Sequence, residues 1–435
     1  MSQANRYGSA GGRRIAGVSW AMWGADNMRT TSSTLLKAAH RKAQRPERLR
    51  GFLLIAPLAV FLAFTFLAPI SSFLVRAVYD PLIADAFPNT VDALKSWKPS
   101  EGTPPEAVFR AFRDELLITR DRGTIGAVGQ RLNRDAAGMR SLVQRGLSIT
   151  DQTGVTEWKP VFVGANEQWA LPETWSIIKN AGSRFTLSHL LQAVDLVKTE
   201  DGSIELRPED QRVNNYLLVR TLLVGLAIMT LSTLLAFPIA LAIARASPSA
   251  ARWMMTIVLL QFWTSVLARI VSWIVLLQNR GVVNDLLVAT GVIAEQQRLA
   301  LIYNMLGTIL VGTYAMLPLV ILPIYSVMKL IPPSYLRAAT SLGAHPFEAF
   351  WRVYFPLTLP GIGAGASTAF ILSIGYFVTP ALVGGQSGTL YSNIIAYHMQ
   401  TSLNWALAAA LSIVILVVVI SLYTVLNRYM RDRKA

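Results

Sequence analysis

Residues Pro332 to Gly361 read PPSYLRAATSLGAHPFEAFWRVYFPLTLPG, a polar, proline-bracketed loop between two long apolar segments. Pro332 and Pro333 suit a helix start. Leu336, Ala339, Thr340 and Gly343 fall at i, i+3, i+4 and i+7, one small-residue face of a helix that stops at Gly343. A second helix is expected after Pro346. Phe347, Phe350, Trp351 and Tyr354 repeat the helical spacing there, Glu348 and Arg352 sit four apart in the favourable order, and Pro356 and Pro360 are expected to end the helix. The loop reads as a docking device, not a catalytic one.

The apolar segments on either side set the class. With 53% hydrophobic and 15% charged residues, the composition is that of an integral membrane protein. Phe52 to Val75 has no charge and is long enough to cross a hydrocarbon core of about 30 Å. Thr221 to Ala244 is framed by Arg220 and Arg245. Trp253 to Leu277 carries one interior charge, Arg269, and Leu299 to Met328 is interrupted by Pro318 and Pro323. From Val353 to Asn427 there is no Asp, Glu, Lys or Arg. The run from Gly384 to Gly388 divides that stretch into two crossings, Gly361 to Val383 and Leu403 to Val425. The expected fold is an all-α polytopic membrane protein with six transmembrane helices.

Orientation follows from the basic short loops. Arg41, Lys42, Arg45, Arg48 and Arg50 precede the first span, Arg245, Arg252, Arg337 and Arg352 lie in later loops, and Arg428, Arg431, Arg433 and Lys434 close the chain. All fall on one side of a six-helix topology, so both termini are expected in the cytoplasm and the uncharged Gln386 to Ser402 outside. The net charge of +15 is then topology, not a nucleic-acid platform. The basic residues of 1–51 are scattered among Gly, Ser and Ala, as in a lipid-facing tail. The first span is too long for a cleaved leader and has no small-x-small site.

Residues 76–219 differ from the rest. They hold 17 Lys or Arg and 19 Asp or Glu, as a soluble extracytoplasmic insert would. Helices are expected over Pro105 to Thr119 and Ile125 to Leu147, with short strands at Val161 to Val163 and Ile204 to Leu206, the latter following an Asp201-Gly202 turn. A small α+β domain results. It carries no metal or catalytic constellation.

The same loop resembles the cytoplasmic "EAA" loop of permease subunits of ATP-binding-cassette importers: Glu-Ala-Ala, three residues, Gly, then an Ile-x-Leu-Pro ending. Here the matching residues are Arg337, Ala338, Ala339, Gly343, Leu357, Leu359 and Pro360. Arg337 replaces the glutamate and Leu357 the isoleucine. The resemblance implies coupling to an ATPase through Arg337, Ala338, Ala339, Gly343, Phe347 and Pro360, within a loop spanning 332–358. Phe262 to Asn284, FWTSVLARIVSWIVLLQNRGVVN, and Ser373 to Gly385, SIGYFVTPALVGG, are similar to the third and fifth spans of the spermidine/putrescine-type branch.

An arginine in mid-span is costly unless it faces a cavity or a partner, so Arg269 is a candidate for the translocation path. Trp263 and Thr264 lie beside it. Pro380 and the glycines are expected to unwind backbone near Tyr376 and Thr379, which membranes tolerate only beside a cavity or other protein. The expected path is Trp263, Thr264, Arg269, Tyr376 and Thr379.

No phosphate loop, H-E-x-x-H or G-x-S-x-G occurs, and the four histidines, His40, His189, His345 and His398, share no face. The chain is therefore expected to be no enzyme, with no catalytic residue, metal or cofactor of its own. The resemblance implies a permease core over 220–427 between the insert and a tail at 428–435, in the bacterial inner membrane. It also implies a type I importer assembly with a second permease subunit, two ATPase subunits and an extracytoplasmic substrate-binding protein, and no nucleic acid. Three roles stay open for the insert: contact with the binding protein, bracing of the outer face, or ligand sensing. A membrane receptor whose insert binds a ligand is the alternative, and it would need an output domain that the short inner segments lack.

Overall fold

The computed structural model describes residues 53–152, 154–198 and 203–432. The basic tail over 1–51 with its arginines and His40, the Asp201-Gly202 turn, and Arg433 and Lys434 lie outside the described residues. The chain divides into two units, 1–72 and 73–435. Among the described residues six helices are long and apolar enough to cross a membrane, as expected: spans 1 to 6 are Leu53–Val75, Asn214–Arg245, Val266–Ala289, Met305–Leu330, Pro346–Gly375 and Trp405–Val425.

Spans 2, 4 and 5 form the core of the bundle. They approach through glycines: a Cβ on Gly312 of span 4 would lie 2.7 Å from Ile228, one on Gly225 of span 2 would lie 3.1 Å from Ile374, and one on Gly361 or Gly365 of span 5 would meet the backbone of Pro323 or Val320 at 2.9 or 3.0 Å. Small residues let membrane helices pack where water no longer drives them together. Val224, Ile228, Val320, Ile324 and Ala369 fill the space between.

Several expected helix ends are corrected. Pro356 and Pro360 do not stop the docking helix, which runs unbroken from Pro346 to Gly375. A π-turn at Phe350–Tyr354 ends two residues before Pro356, and another at Ala63–Leu67 ends two residues before Pro69. Widened turns of this kind let a helix continue through a residue that has no N–H to offer. Pro318 and Pro323 likewise lie inside span 4, which begins at Met305 and not Leu299 because Asn304 caps it, its side chain accepting from Gly307 N at 2.9 Å.

The third expected span, Trp253 to Leu277, is not one helix. Helix Pro248–Trp263 stops at Thr264, whose backbone is extended, and a new helix starts at Val266. The Thr264 hydroxyl donates to Gln261 O at 2.9 Å, a local bond that competes with helix continuation. Near the fifth span the break also moves. It falls at Tyr376 and Phe377, and Pro380 sits inside the short helix Val378–Val383.

Residues 83–181 enclose a hydrophobic core of their own. Phe87, Phe109, Phe112, Phe162, Trp169 and Trp175 interlock, with ring centroids 4.7 Å apart for Phe109 and Trp175 and 5.1 Å for Phe112 and Trp169. The expected helix at Pro105 to Thr119 is present as Glu106–Asp121. The one expected over Ile125 to Leu147 is two, Ile125–Asp135 and Met139–Ile149, hinged at Gly138 with φ of 95°. Val161 to Val163 is helix, not strand. Trp158 and Phe162, four residues apart on one face of helix Trp158–Ala165, both enter the aromatic core. Strands β1 (Leu196–Lys198) and β2 (Ile204–Leu206) pair antiparallel, so the insert is mostly helical with one two-stranded ribbon.

Hydrogen bonds tie the insert to the bundle. Buried Asp195, with φ of 57°, accepts from Asn214 N and Asn215 N at 3.2 and 2.7 Å and so caps the start of span 2. Tyr391 donates through its hydroxyl to Ala193 O and through its amide to the Thr221 hydroxyl. Gln130 and Arg134 reach Ser402 O and Leu403 O, just before span 6. Beneath these, Arg131 pairs with Asp80 and with Asp135 at 2.7 Å. Burial alone would raise the Asp80 carboxyl, but His189 and the Arg131 guanidinium outweigh it and hold it well below the usual carboxylate range.

Candidate functional site

The helix break at Thr264 and the unwinding at Tyr376 create the site. Helix Val266–Leu277 carries Arg269 on its second turn, span 4 carries Val311 and Tyr314, and the short helix after span 5 carries Thr379. Arg269, Trp273, Tyr314, Tyr376 and Thr379 line one narrow cleft. Its volume is ≈ 10 Å³, about room for a single water. Trp273 and Tyr314 meet edge to face at 5.0 Å, and Gln261 Nε2 donates to Tyr314 O at 3.0 Å, fixing this wall to the preceding helix.

Polar groups face the cleft without partners. Arg269 Nε is buried and has no hydrogen-bond acceptor among the described residues, and neither does the Thr379 hydroxyl, which is 0% exposed. Arg220 Nε and the Thr233 and Thr313 hydroxyls are also unpartnered, but none of the three lines the cleft. Backbone freed by the unwinding is satisfied from outside: Asn393 Nδ2 donates to Phe377 O at 3.0 Å and Ser392 Oγ to Tyr376 O at 3.4 Å. Arg269, the fourth residue of its helix, shares the cleft with Tyr314, which lies nine residues into span 4.

Of the five residues expected along the path, the structure brings Arg269, Tyr376 and Thr379 together. Trp263 and Thr264 are left outside the cleft, with Trp263 80% exposed. Tyr314 and Trp273 are the lining residues that sequence reasoning missed. Neither carries a signal in one dimension, because an aromatic ring in a span is ordinarily packing or an interfacial anchor.

The docking loop forms a second, exposed surface. Helix Ser334–Ser341 ends at Gly343, which has φ of 91°, and its last carbonyls accept from Leu342, Gly343 and Ala344. Next, the His345 ring caps the following helix by accepting from Phe347 N at 3.4 Å. Glu348 and Arg352 form the expected ion pair at 3.0 Å. Between the helices lies an open groove lined by Leu342, Gly343, Ala344, Glu348 and Arg352. Leu342 and Phe347 stand 89% and 68% exposed at its edge. Arg337 and Ala338 are exposed and Ala339 half-buried, on the first helix. Pro360 is exposed but lies fourteen residues along span 5 from Pro346, away from the groove. The Arg245 guanidinium, at the end of span 2, stacks over Phe350 and Tyr354 at 5.9 and 5.8 Å, a tie between bundle and loop that the sequence did not reveal. No group of His, Asp and Glu suited to a metal occurs among the described residues.

Comparison with known proteins covers the bundle. The family of binding-protein-dependent transport system inner membrane components matches residues 218–433. The spermidine/putrescine transport system permease protein PotB of Haemophilus influenzae is 34% identical over 181 residues, 41% of this chain and 62% of that protein. The inner membrane ABC transporter permease protein YdcU of Escherichia coli is 34% identical over 221 residues, 48% of this chain and 70% of that one. PotB of Escherichia coli is 31% identical over 192 residues, 44% and 69% of the two chains. The family match leaves the insert outside.

Proposed function

The chain belongs to the family of binding-protein-dependent transport system inner membrane components, and on that premise we propose that it moves a small solute across the inner membrane by alternating access. It does so as the permease subunit of an ATP-binding-cassette importer. The solute is polyamine-like or another small organic compound, as the printed names of the relatives suggest. One observation carries this reading: Arg269, Tyr376 and Thr379, from separate elements, converge on a single cleft inside the bundle. At ≈ 10 Å³ the cleft is too small to hold such a solute. A conformational change has to open it, as alternating access requires.

The lever is span 5. It is continuous for 30 residues, about 45 Å of helix, from the docking surface at Pro346 to Gly375 beside the cleft. A partner ATPase seats in the groove beside Gly343, with Leu342, Phe347 and the first-helix residues Arg337, Ala338 and Ala339 at its contact surface; Pro360 acts within the lever. ATP hydrolysis belongs to that partner. Arg245 carries the same movement to span 2. A second permease subunit, a pair of ATPases and an extracytoplasmic binding protein complete the assembly, with both termini and the docking loop cytoplasmic and the insert outside.

Gly343 supplies the test. Its positive φ makes any side chain there strained, even though open space surrounds it. In proteoliposomes holding the whole importer, Gly343→Trp is expected to lower uptake at least tenfold while ATP hydrolysis continues. Normal uptake by this variant overturns the coupling assignment.

A further inference from the structure

We propose that residues 185–193, at the foot of the insert, are embedded in the adjoining lipid leaflet, with Phe185 and Leu187 among the phospholipid acyl chains just below the headgroups. The insert is then held by the membrane itself as well as by the bundle.

Span 6 sets the depth. Its 21 residues rise about 31 Å, only just enough for a ~30 Å hydrocarbon core, so its first turns lie inside that core. Leu407 and Leu411, about 3 and 9 Å of rise past Trp405, share one buried cluster with Ala193 of helix Ser188–Ala193 and with Leu217 of span 2. Leu190 of the same short helix packs against that cluster. The level is marked again by Phe73, whose ring lies 6.4 Å from that of Trp405, and by Arg76, whose guanidinium stands 5.8 Å over it. On its bundle side, therefore, the short helix of the insert packs at membrane depth.

Its free side is apolar. Phe185 and Leu187 are 72% and 64% exposed, and the Tyr79 ring meets that of Phe185 at 5.3 Å. Tyr79 N donates to Val75 O at 2.9 Å, so the patch continues from the exposed end of span 1. The aromatic core of the insert behaves differently: among the described residues of 83–181, only Ile118 and Leu171 are large apolar side chains left exposed. An apolar patch confined to the foot of a domain, and continuous with a span, fits lipid as its cover.

The backbone of the segment is satisfied as lipid requires. Asp80 N donates to Arg184 O at 3.0 Å and Thr186 N to Val78 O at 2.9 Å, while Leu191 N donates to Leu187 O at 2.9 Å. Side chains supply further partners: Ser183 Oγ donates to Phe185 O at 2.7 Å, and Ser188 N to Thr186 Oγ1 at 3.1 Å. Bonds made within the chain replace those that water would otherwise provide. Insertion is shallow, because Arg184, next to Phe185, reaches the exposed Asp85 at 3.0 Å, a pair suited to the headgroup layer.

The chain has no cysteine, so a spin label can be set at one position at a time. Phe185→Cys and Leu187→Cys are labelled in the whole importer, built with cysteine-free partner subunits in liposomes of phosphatidylethanolamine and phosphatidylglycerol. Ile118→Cys and Leu171→Cys serve as the water-facing references. Relaxation of each label is measured with oxygen, which concentrates in lipid, and with a water-soluble nickel chelate. The oxygen-to-nickel accessibility ratio is expected to be at least fivefold higher at 185 and 187 than at 118 and 171. Nickel access at 185 or 187 equal to that at the references overturns the proposal, since the segment then faces water. Low access to both reagents at either position overturns it too, because a partner subunit or the binding protein is then the cover.

Discussion

The insert and the bundle solve opposite packing problems. In the insert, six aromatic rings are enclosed among helices, and two buried charges are answered: Glu115 receives Asn89 N, Thr90 N and the Thr90 hydroxyl, and Arg131 lies between Asp80 and Asp135, while both ring nitrogens of His189 and the Arg207 Nε have no hydrogen-bond partner among the described residues. In the bundle, large apolar side chains face outward along the spans, while Arg220, Arg269, Thr379, Thr313 and Thr233 keep polar atoms without partners inside. A domain surrounded by water hides its apolar groups and pairs its polar ones. A helix bundle in lipid has no such reason to hide apolar surface.

That contrast can be broken by mutation. Trp175→Ala removes a fully buried ring from the insert, with an expected cost of about 3–5 kcal/mol. Hydrogen exchange should rise by roughly two to three orders of magnitude across 83–181 while spans 2, 4 and 5 keep their protection. Exchange that rises equally in the spans would show that the two regions fold as one. Gly365→Val probes the other side, because its Cβ would stand 3.0 Å from the Val320 backbone. Forcing the helices apart is expected to cost about 1–3 kcal/mol, read as faster exchange in spans 4 and 5 alone.

Asp195→Ala is the mildest of the three and sharpens the boundary. Losing the acceptor for Asn214 N and Asn215 N is expected to cost about 1 kcal/mol, confined to the first turn of span 2. Unchanged exchange at those amides would mean that the cap does not hold the junction.

The hydropathy of the chain was enough to count six crossings, because a span must bury its whole backbone and shows it as an unbroken apolar run. The docking helices were legible too, since Gly343 and the prolines around it mark turns by local chemistry. Local rules failed where a neighbour intervened. Pro356 reads as a helix stop until the π-turn before it is seen, and Val161 to Val163 reads as strand until Trp158 and Phe162 find an aromatic core to enter. The break at Thr264 has no proline or glycine to announce it.

For the cleft, residue type and spacing singled out Arg269, Tyr376 and Thr379 one at a time, each because a charge or an unwound turn is costly in a membrane. They also admitted Trp263 and Thr264, which the helix break leaves outside. What the sequence determined by itself was the class of protein, its number of crossings and the loop that docks, all set by solvation and by bonds within one or two turns. The tertiary structure alone decided that an arginine and a threonine 110 positions apart line one narrow cleft with idle donors. Which polar groups remain unsatisfied depends on every helix that packs around them.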